Sequence, residues 1–239
     1  MNTSLLCDLD LVLIQQKLSK MRISFFRSVL VLITFAFIVS SWLIVNKFSR
    51  TFTQTCHHSK TFQQGLHKLA NRVHNVLNAI GLTHFLCYGS LWGQLRSSQS
   101  LPWESDIEFC LLNEEILTKD EVYLERNFRS RNMQMVYDST EGVYTITDVA
   151  FPGGKIQLVV FEKDLVINML RRVGWKRRVL PPDCESLPSL NCFPPRLVTP
   201  PLPLKEFGGY ILPVPREGIE IQKYHYPTNW WKEILPKNC

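Results

Sequence analysis

Three acidic residues, Glu104, Asp106 and Glu108, stand two apart in the run PWESDIEFCLL. On a β-strand alternate side chains share a face, so this spacing gathers three carboxylates on one side. Carboxylates held together repel unless a cation joins them or one takes up a proton. Their hard oxygens suit Mg²⁺ or Mn²⁺, and Mg²⁺ needs only one or two carboxylates when substrate phosphates complete its shell. About fifteen residues upstream stands the pair Gly89-Ser90, opening the run GSLWGQLR. Gly89 lets an anion approach the backbone, Ser90 offers a hydroxyl, and the amides opening a following helix point at a phosphate. Arg96 adds a cation about two helical turns on. The same alternation of acids is also the ordinary solvated face of an amphipathic strand, and both readings stand on spacing alone.

The elements that must position these residues are legible in outline. Phe62, Leu66, Leu69, Val73, Val76, Leu77 and Ile80 recur at helical spacing, ended by Gly81. THFLCYGS predicts a short strand meeting a Gly-Ser turn, and SLWGQLR a brief helix. ESDIEFCLL predicts a strand with Ile107, Phe109 and Leu111 opposite the acids. TKDEVYLERNFRSRN predicts a helix. MQMVYDS, GVYTITDVAF and KIQLVVFEK predict a three-stranded meander with turns at Gly142 and Gly153-Gly154. Most of the prolines lie beyond Val179, which predicts extended segments wrapped over the core and a helical stretch within EGIEIQKYHYPTNWWKEI.

Ahead of this part, Ser28 to Val45 is a charge-free run of 18 residues, which as a helix spans about 27 Å. Lys17, Lys20, Arg22 and Arg27 precede it, and Lys47 and Arg50 follow. The excess upstream predicts a cytoplasmic N-terminus. The run is long and late for a cleaved leader, and no A-x-A site follows it. The expected organisation is therefore a tail over 1–27, a transmembrane signal anchor over 28–45, a stem over 46–60 and a lumenal domain over 61–239. A short amphipathic helix is expected within CDLDLVLIQQKLSKM. The sole Asn-x-Ser/Thr sequon, Asn2-Thr3-Ser4, falls in the tail.

The net charge of +6 is uneven: residues 1–50 hold six Lys/Arg and two Asp, leaving +2 for the rest. The basic balance is thus partly a membrane flank, and no nucleic-acid partner is expected. Arg171–Arg178, RRVGWKRR, is either an anion or lipid-surface site or a solvated basic loop. Among seven cysteines no CxxC pair occurs, which removes support for zinc-ribbon and thioredoxin-like sites. Six of them follow the apolar run, an even number suited to an oxidising lumen. Cys184 and Cys192, in the proline-rich segment, are candidates for a small disulfide; Cys87 and Cys110 read as small buried residues of core strands. His84 reads as structural, the His57-His58 pair as part of the stem, and Trp230-Trp231 either as packing or as a sugar-stacking pair.

Gly89, Ser90, Leu91, Gly93, Arg96, Pro102, Trp103, Glu104, Asp106 and Glu108 together resemble the signature of the LicD family, which includes fukutin and fukutin-related protein. That signature is a Gly-Ser turn, a helix ending near an arginine, and a Pro-Trp-Asp-x-Asp-x-Asp strand. A weaker likeness continues through FGGYILPVP and YHYPTNWW, so it spans roughly 60–235. The resemblance implies an α+β fold, a nucleotidyltransferase-like mixed sheet with flanking helices, here behind one transmembrane helix. It implies transfer of a phospho-alcohol, such as ribitol phosphate or phosphocholine, from a CDP-linked donor to a glycan acceptor, in a type II protein of the Golgi or ER membrane. Carried over, Asp106 and Glu108 are the catalytic pair that holds Mg²⁺ or Mn²⁺ with Glu104 beside them, and Gly89, Ser90 and Arg96 contact donor phosphates. The sequence departs from the family in two ways. Glutamate replaces aspartate at 104 and 108, and the third family acid falls at Gln157, which is neutral and cannot act as a base. Asp148 is a candidate to compensate. A catalytically inactive relative acting as a scaffold is the alternative these departures raise, and an unrelated DxD-type glycosyltransferase is a second.

Overall fold

The computed structural model describes residues 27–47, 57–178, 184–185, 187–232 and 235. The expected amphipathic helix of the tail, Asn2 and most of the stem lie outside the described residues. The chain divides into two units, Met1–Thr55 and Cys56–Cys239. In the first, helix α1 (Arg27–Lys47) has a mean hydropathy of 2.5 over its most apolar window. It is apolar on all sides, with Leu32, Phe37 and Trp42 exposed. By length and composition it is sufficient to cross a membrane.

The second unit is an α+β domain. Helix α2 (Lys60–Ala79) starts where the Ser59 hydroxyl accepts the Phe62 N–H, and stops where Gly81 takes a φ of 73°. One stripe of α2, from Leu66 through Leu77, is buried. Strand β1 (His84–Leu86) leads into helix α3 (Tyr88–Ser97), strand β2 (Asp106–Leu112), helix α4 (Asn113–Ile116) and helix α5 (Glu121–Arg129). The meander follows as β3 (Met133–Asp138), β4 (Val143–Asp148) and β5 (Lys155–Asp164), with β6 (Met169–Arg172) turning back on β5. The sheet order is β1-β2-β5-β4-β3, and β6 pairs with β5. Only β2 and β5 run parallel among these named strands; the other pairs are antiparallel. This is a mixed sheet with flanking helices, as the sequence implied.

Two local expectations are corrected. Gly89-Ser90 is not a turn ahead of a helix but lies within the first turn of α3, because Tyr88 makes the bend itself with a φ of 49°. Glu104 does not belong to β2, which begins at Asp106. Pro102 and Trp103 form a turn closed by the Glu104 N–H on the Leu101 carbonyl, at 3.0 Å, and that turn delays the strand.

The proline-rich segment wraps over the core, as expected, but with more regular structure. It contains short 3₁₀ turns, a hairpin of β7 (Leu204–Phe207) and β8 (Tyr210–Pro213), and helix α6 (Gly218–His225). Phe193, Leu197, Phe207, Leu212 and Ile221 pack into the same buried cluster as α2 and the sheet. Cys87 and Cys110, read as small buried residues of core strands, are buried and are joined in a disulfide. Their side chains meet because Cys87 opens α3 directly above β2. Cys184 and Cys192 are also joined.

Candidate active site

The start of α3 is fastened to the acidic end of β2. The Gly89 N–H donates to Glu108 Oε2 at 2.8 Å, and the Glu108 N–H donates to Ser90 Oγ at 2.7 Å. The Cys87 N–H reaches the Glu108 carbonyl at 3.1 Å, beside the disulfide. Ser90 is buried, with its hydroxyl turned to β2. Gly89 is required by close approach: a Cβ there would lie 3.2 Å from Glu104 Oε1 and 3.4 Å from Glu108 Oε2. Both carboxylates thus converge on the space beside the Gly89 Cα.

Parallel pairing of β2 with β5 sets Gln157 directly beside Glu108, and Lys155 beside Asp106. The Gln157 side-chain amide donates to Asp106 Oδ2 at 2.6 Å. Gln157, which the resemblance sets at the third family acid, is therefore joined to the acid cluster as a neutral donor. Asp148 does not join it. Its carboxylate is taken by Arg72 of α2 and by the Ala150 N–H at 2.9 Å. Burial would raise its pKa, but these two partners hold it below the usual carboxylate value.

The electrostatics of the acids follow from crowding in a partly dry place. Burial first, then the Asp106 charge, push Glu104 up to about 7. Burial, then the charges of Asp106 and Glu104, push Glu108 up to about 8 despite the Gly89 amide. Asp106 is raised by burial, against the opposing pull of Lys155. Such shifts are those of carboxylates crowded together in a partly buried place. Among the described residues no group of three His, Cys, Asp or Glu side chains forms a ready ligand set for a metal ion. The donor chemistry does fit a hard cation that takes two protein carboxylates and completes its shell from a substrate. Glu104 and Asp106 share a hydrogen bond, while Glu108 is directed to the Gly89 amide.

Above the acids opens a cleft of about 250 Å³. Trp92, Trp103 and Tyr226 form its walls, with Gly89 and Glu104 at the acidic end and Arg96 and Lys232 bringing positive charge. The Arg96 guanidinium lies over the Trp92 ring at 4.5 Å. Sequence reasoning missed Trp92, Tyr226 and Lys232. The YHYPTNWW likeness pointed to their region without assigning a residue, since only tertiary folding carries the C-terminal segment to α3. Behind the cleft, Tyr88 is held by Gln222, which donates to its carbonyl at 2.7 Å, and by its own hydroxyl on Asn191 at 3.1 Å. The His225 ring stacks on it at 4.2 Å.

The remaining candidates have partners within the fold. In Arg171–Arg178 the charges are largely met internally: Arg171 pairs with Glu162 at 2.9 Å, and Lys176 and Arg177 pair with Glu141 at 2.5 and 3.0 Å. Those two hydrogen bonds pull Glu141 down to about 2. Arg178 covers the Trp175 ring. His84 is buried, bonded to the Leu82 carbonyl and to His74, and burial lowers it to about 4. Trp230 and Trp231 meet edge to face, and Lys223 lies over Trp230.

Residues 81–217, more than half of the chain, match a family model described as LicD/FKTN/FKRP, nucleotidyltransferase domain. The match holds Gly89, Ser90, Arg96, all three acids and Gln157, and ends ahead of Tyr226 and Lys232. No curated protein matches the chain.

Proposed function

The chain belongs to the LicD family, whose domain has a phosphotransferase or nucleotidyltransferase-like role, and from that membership we propose that it moves a phospho-alcohol from a CDP-linked donor to a glycan acceptor. The observation that carries the reading is the cluster of Glu104, Asp106 and Glu108, of which Glu104 lines a cleft together with Arg96 and Lys232. Trp92, Trp103 and Tyr226 offer aromatic surface for a nucleobase, and Arg96 and Lys232 offer charge for a diphosphate. Glu104 and Asp106 are the residues that would hold Mg²⁺ or Mn²⁺. Such an ion, when bound, offsets phosphate charge during transfer. In the transfer the acceptor oxygen bonds phosphorus, the bond from that phosphorus to the CMP oxygen breaks, and the acceptor proton is taken by Glu108. Glu108 can accept that proton only as a carboxylate, a form that a cation held by Glu104 and Asp106 would favour against the burial and crowding that raise its pKa. Arg96 steadies the departing CMP. The proposed setting is a single-pass type II protein of the Golgi or ER membrane with the Cys56–Cys239 unit in the lumen.

A second reading is favoured by one observation. The Gln157 amide occupies Asp106, and Glu108 is engaged by Gly89, so the acids are satisfied without a third carboxylate. This is the pattern expected of a non-catalytic relative that serves as a scaffold in glycan assembly. An unrelated DxD-type glycosyltransferase gives no role to Gly89-Ser90 or Pro102-Trp103, and family membership displaces it.

Calorimetric titration of the full chain in lipid nanodiscs with CDP, with and without Mg²⁺ or Mn²⁺, separates the two. The transferase reading expects binding that depends on the divalent ion and is abolished by Asp106→Ala. Absence of binding at millimolar nucleotide would sink it and leave the scaffold.

A further inference from the structure

Beside the donor cleft, across the Pro102-Trp103 turn, lies a second and larger groove of about 710 Å³. We infer that this groove binds a neutral carbohydrate chain and is the acceptor site of the transfer. The inference rests on the transferase reading for the word acceptor, but its chemistry stands on the groove.

The two sites share a wall. Trp103 lines the donor cleft, while Pro102 and His57 line the groove. The His57 ring lies along Trp103 at 6.3 Å, and the His58 N–H is fixed to the Pro102 carbonyl at 2.8 Å. A chain lying in the groove would therefore present its end across this turn to the acids.

The lining selects the ligand class. Gln63, Gln64, Gln99, Ser97 and Ser98 line the groove, with the Gln63 amide donating to the His58 carbonyl at 3.4 Å and the Ser97 hydroxyl to the Gly93 carbonyl at 3.2 Å. Each of these side chains both donates and accepts, as sugar hydroxyls do. Gln64 and Gln99 are exposed and make no side-chain hydrogen bond among the described residues. The formal charges on the rim are one of each sign, Lys60 and Glu206, so neither a polyanion nor a polycation is favoured. His57 and Trp103 add flat surface on which a sugar ring can lie.

The groove is also built in advance. Its floor is buried His67, whose Nε2 accepts the Ser100 N–H at 3.0 Å. The Gly208 N–H fastens the β7–β8 turn to the Ser98 carbonyl at 2.7 Å, and the Gln94 amide reaches the Glu206 carbonyl at 3.4 Å. At Gly208, with a φ of 60°, a Cβ would run into the His67 ring, so the turn can sit over that ring only with glycine there. In volume the groove falls within the range of small-ligand sites, and its lining is more polar than theirs.

The test is saturation-transfer NMR of the full chain in nanodiscs with methyl mannoside, lactose and cellotriose, and with glucose 6-phosphate as the anionic control. The expected result is transfer to the ring protons of at least one neutral sugar. Gln64→Ala/Gln99→Ala should weaken that binding roughly fivefold to tenfold, as loss of one or two hydrogen bonds predicts, and leave CDP affinity unchanged. No transfer to any neutral sugar, equal transfer in the variant, or preference for the phosphorylated control would overturn the inference. If sugars bind in the groove but CDP does not bind at all, the transferase reading fails while the carbohydrate site stands. If CDP binds and the sugars do not, the reverse holds.

Discussion

At the scale of single residues, the cleft beside Glu104 is backed by a side chain whose chemistry is not needed there. His225 is buried, stacked on Tyr88 and packed near Phe161 and Phe193, and neither ring nitrogen has a partner among the described residues. Burial, and then the nearby Arg172 charge, lower it to about 3. Its folded pKa thus lies below the unfolded value of 6.5, so the unfolded chain binds more protons between the two. Its contribution to stability is complete above pH 6.5 and is lost as the pH falls toward 3. At pH ~5 this amounts to about 2 kcal/mol. His225→Phe keeps the stack and removes both unpartnered nitrogens. It should gain about 1 kcal/mol at neutral pH and flatten the acid limb, as urea unfolding at pH ~5 and ~7.5 will show. His84, lowered to about 4, shifts in the same direction and leaves part of the limb in place. An unchanged acid limb in the variant would assign the loss to other groups. None of this was legible in the sequence, because His225 and Tyr88 lie far apart in the chain. The Gly89-Ser90, Pro102-Trp103 and acid motifs were legible because their functional spacing is local.

At the scale of elements, the site depends on how firmly α3 is held to β2. The Cys87–Cys110 disulfide closes a separation of 23 residues there, next to the Gly89 amide that bonds Glu108. Loop closure over that length is worth about 3 kcal/mol in the chain-entropy account. Cys87→Ala/Cys110→Ala should cost about that much in denaturant unfolding and speed amide exchange at Gly89 and Ser90 more than in α5. Equal acceleration throughout the domain would mean that the bond stabilises the fold without positioning the site. The elements themselves were unequally readable. Helix α2 declared itself by its 3.6-residue period and Gly81, and the β3–β4–β5 meander by its glycine turns. The parallel contact of β2 with β5, which brings Gln157 to the acids, pairs segments with a helix-bearing crossover between them, and no local pattern records it. The α3 boundary was misplaced because only a tertiary setting makes Tyr88 adopt a positive φ.

At the scale of the whole molecule, two independent features bear on where the chain works. Helix α1 has the length and hydropathy of a membrane span, and two disulfides in the Cys56–Cys239 unit accord with an oxidising compartment. A type II orientation puts both on one account: basic residues stay in the cytoplasm, and the folded unit oxidises in the lumen. The sequence supplies a clean background for testing it, since its single sequon at Asn2 lies in the tail. Leu117 is 74% exposed in the turn after α4, so Leu117→Asn with Lys119→Thr writes a new sequon on an accessible surface of the domain. In cells the variant should acquire an endoglycosidase-sensitive mobility shift that the unaltered chain lacks. An N-terminal tag retained on the glycosylated product will mark an anchor, whereas a glycosylated product without the tag will mark a removed leader. A variant that is expressed and membrane-bound but never glycosylated would put the domain on the cytoplasmic side. The disulfides would then lack their compartment and the proposed acceptor its access to the site.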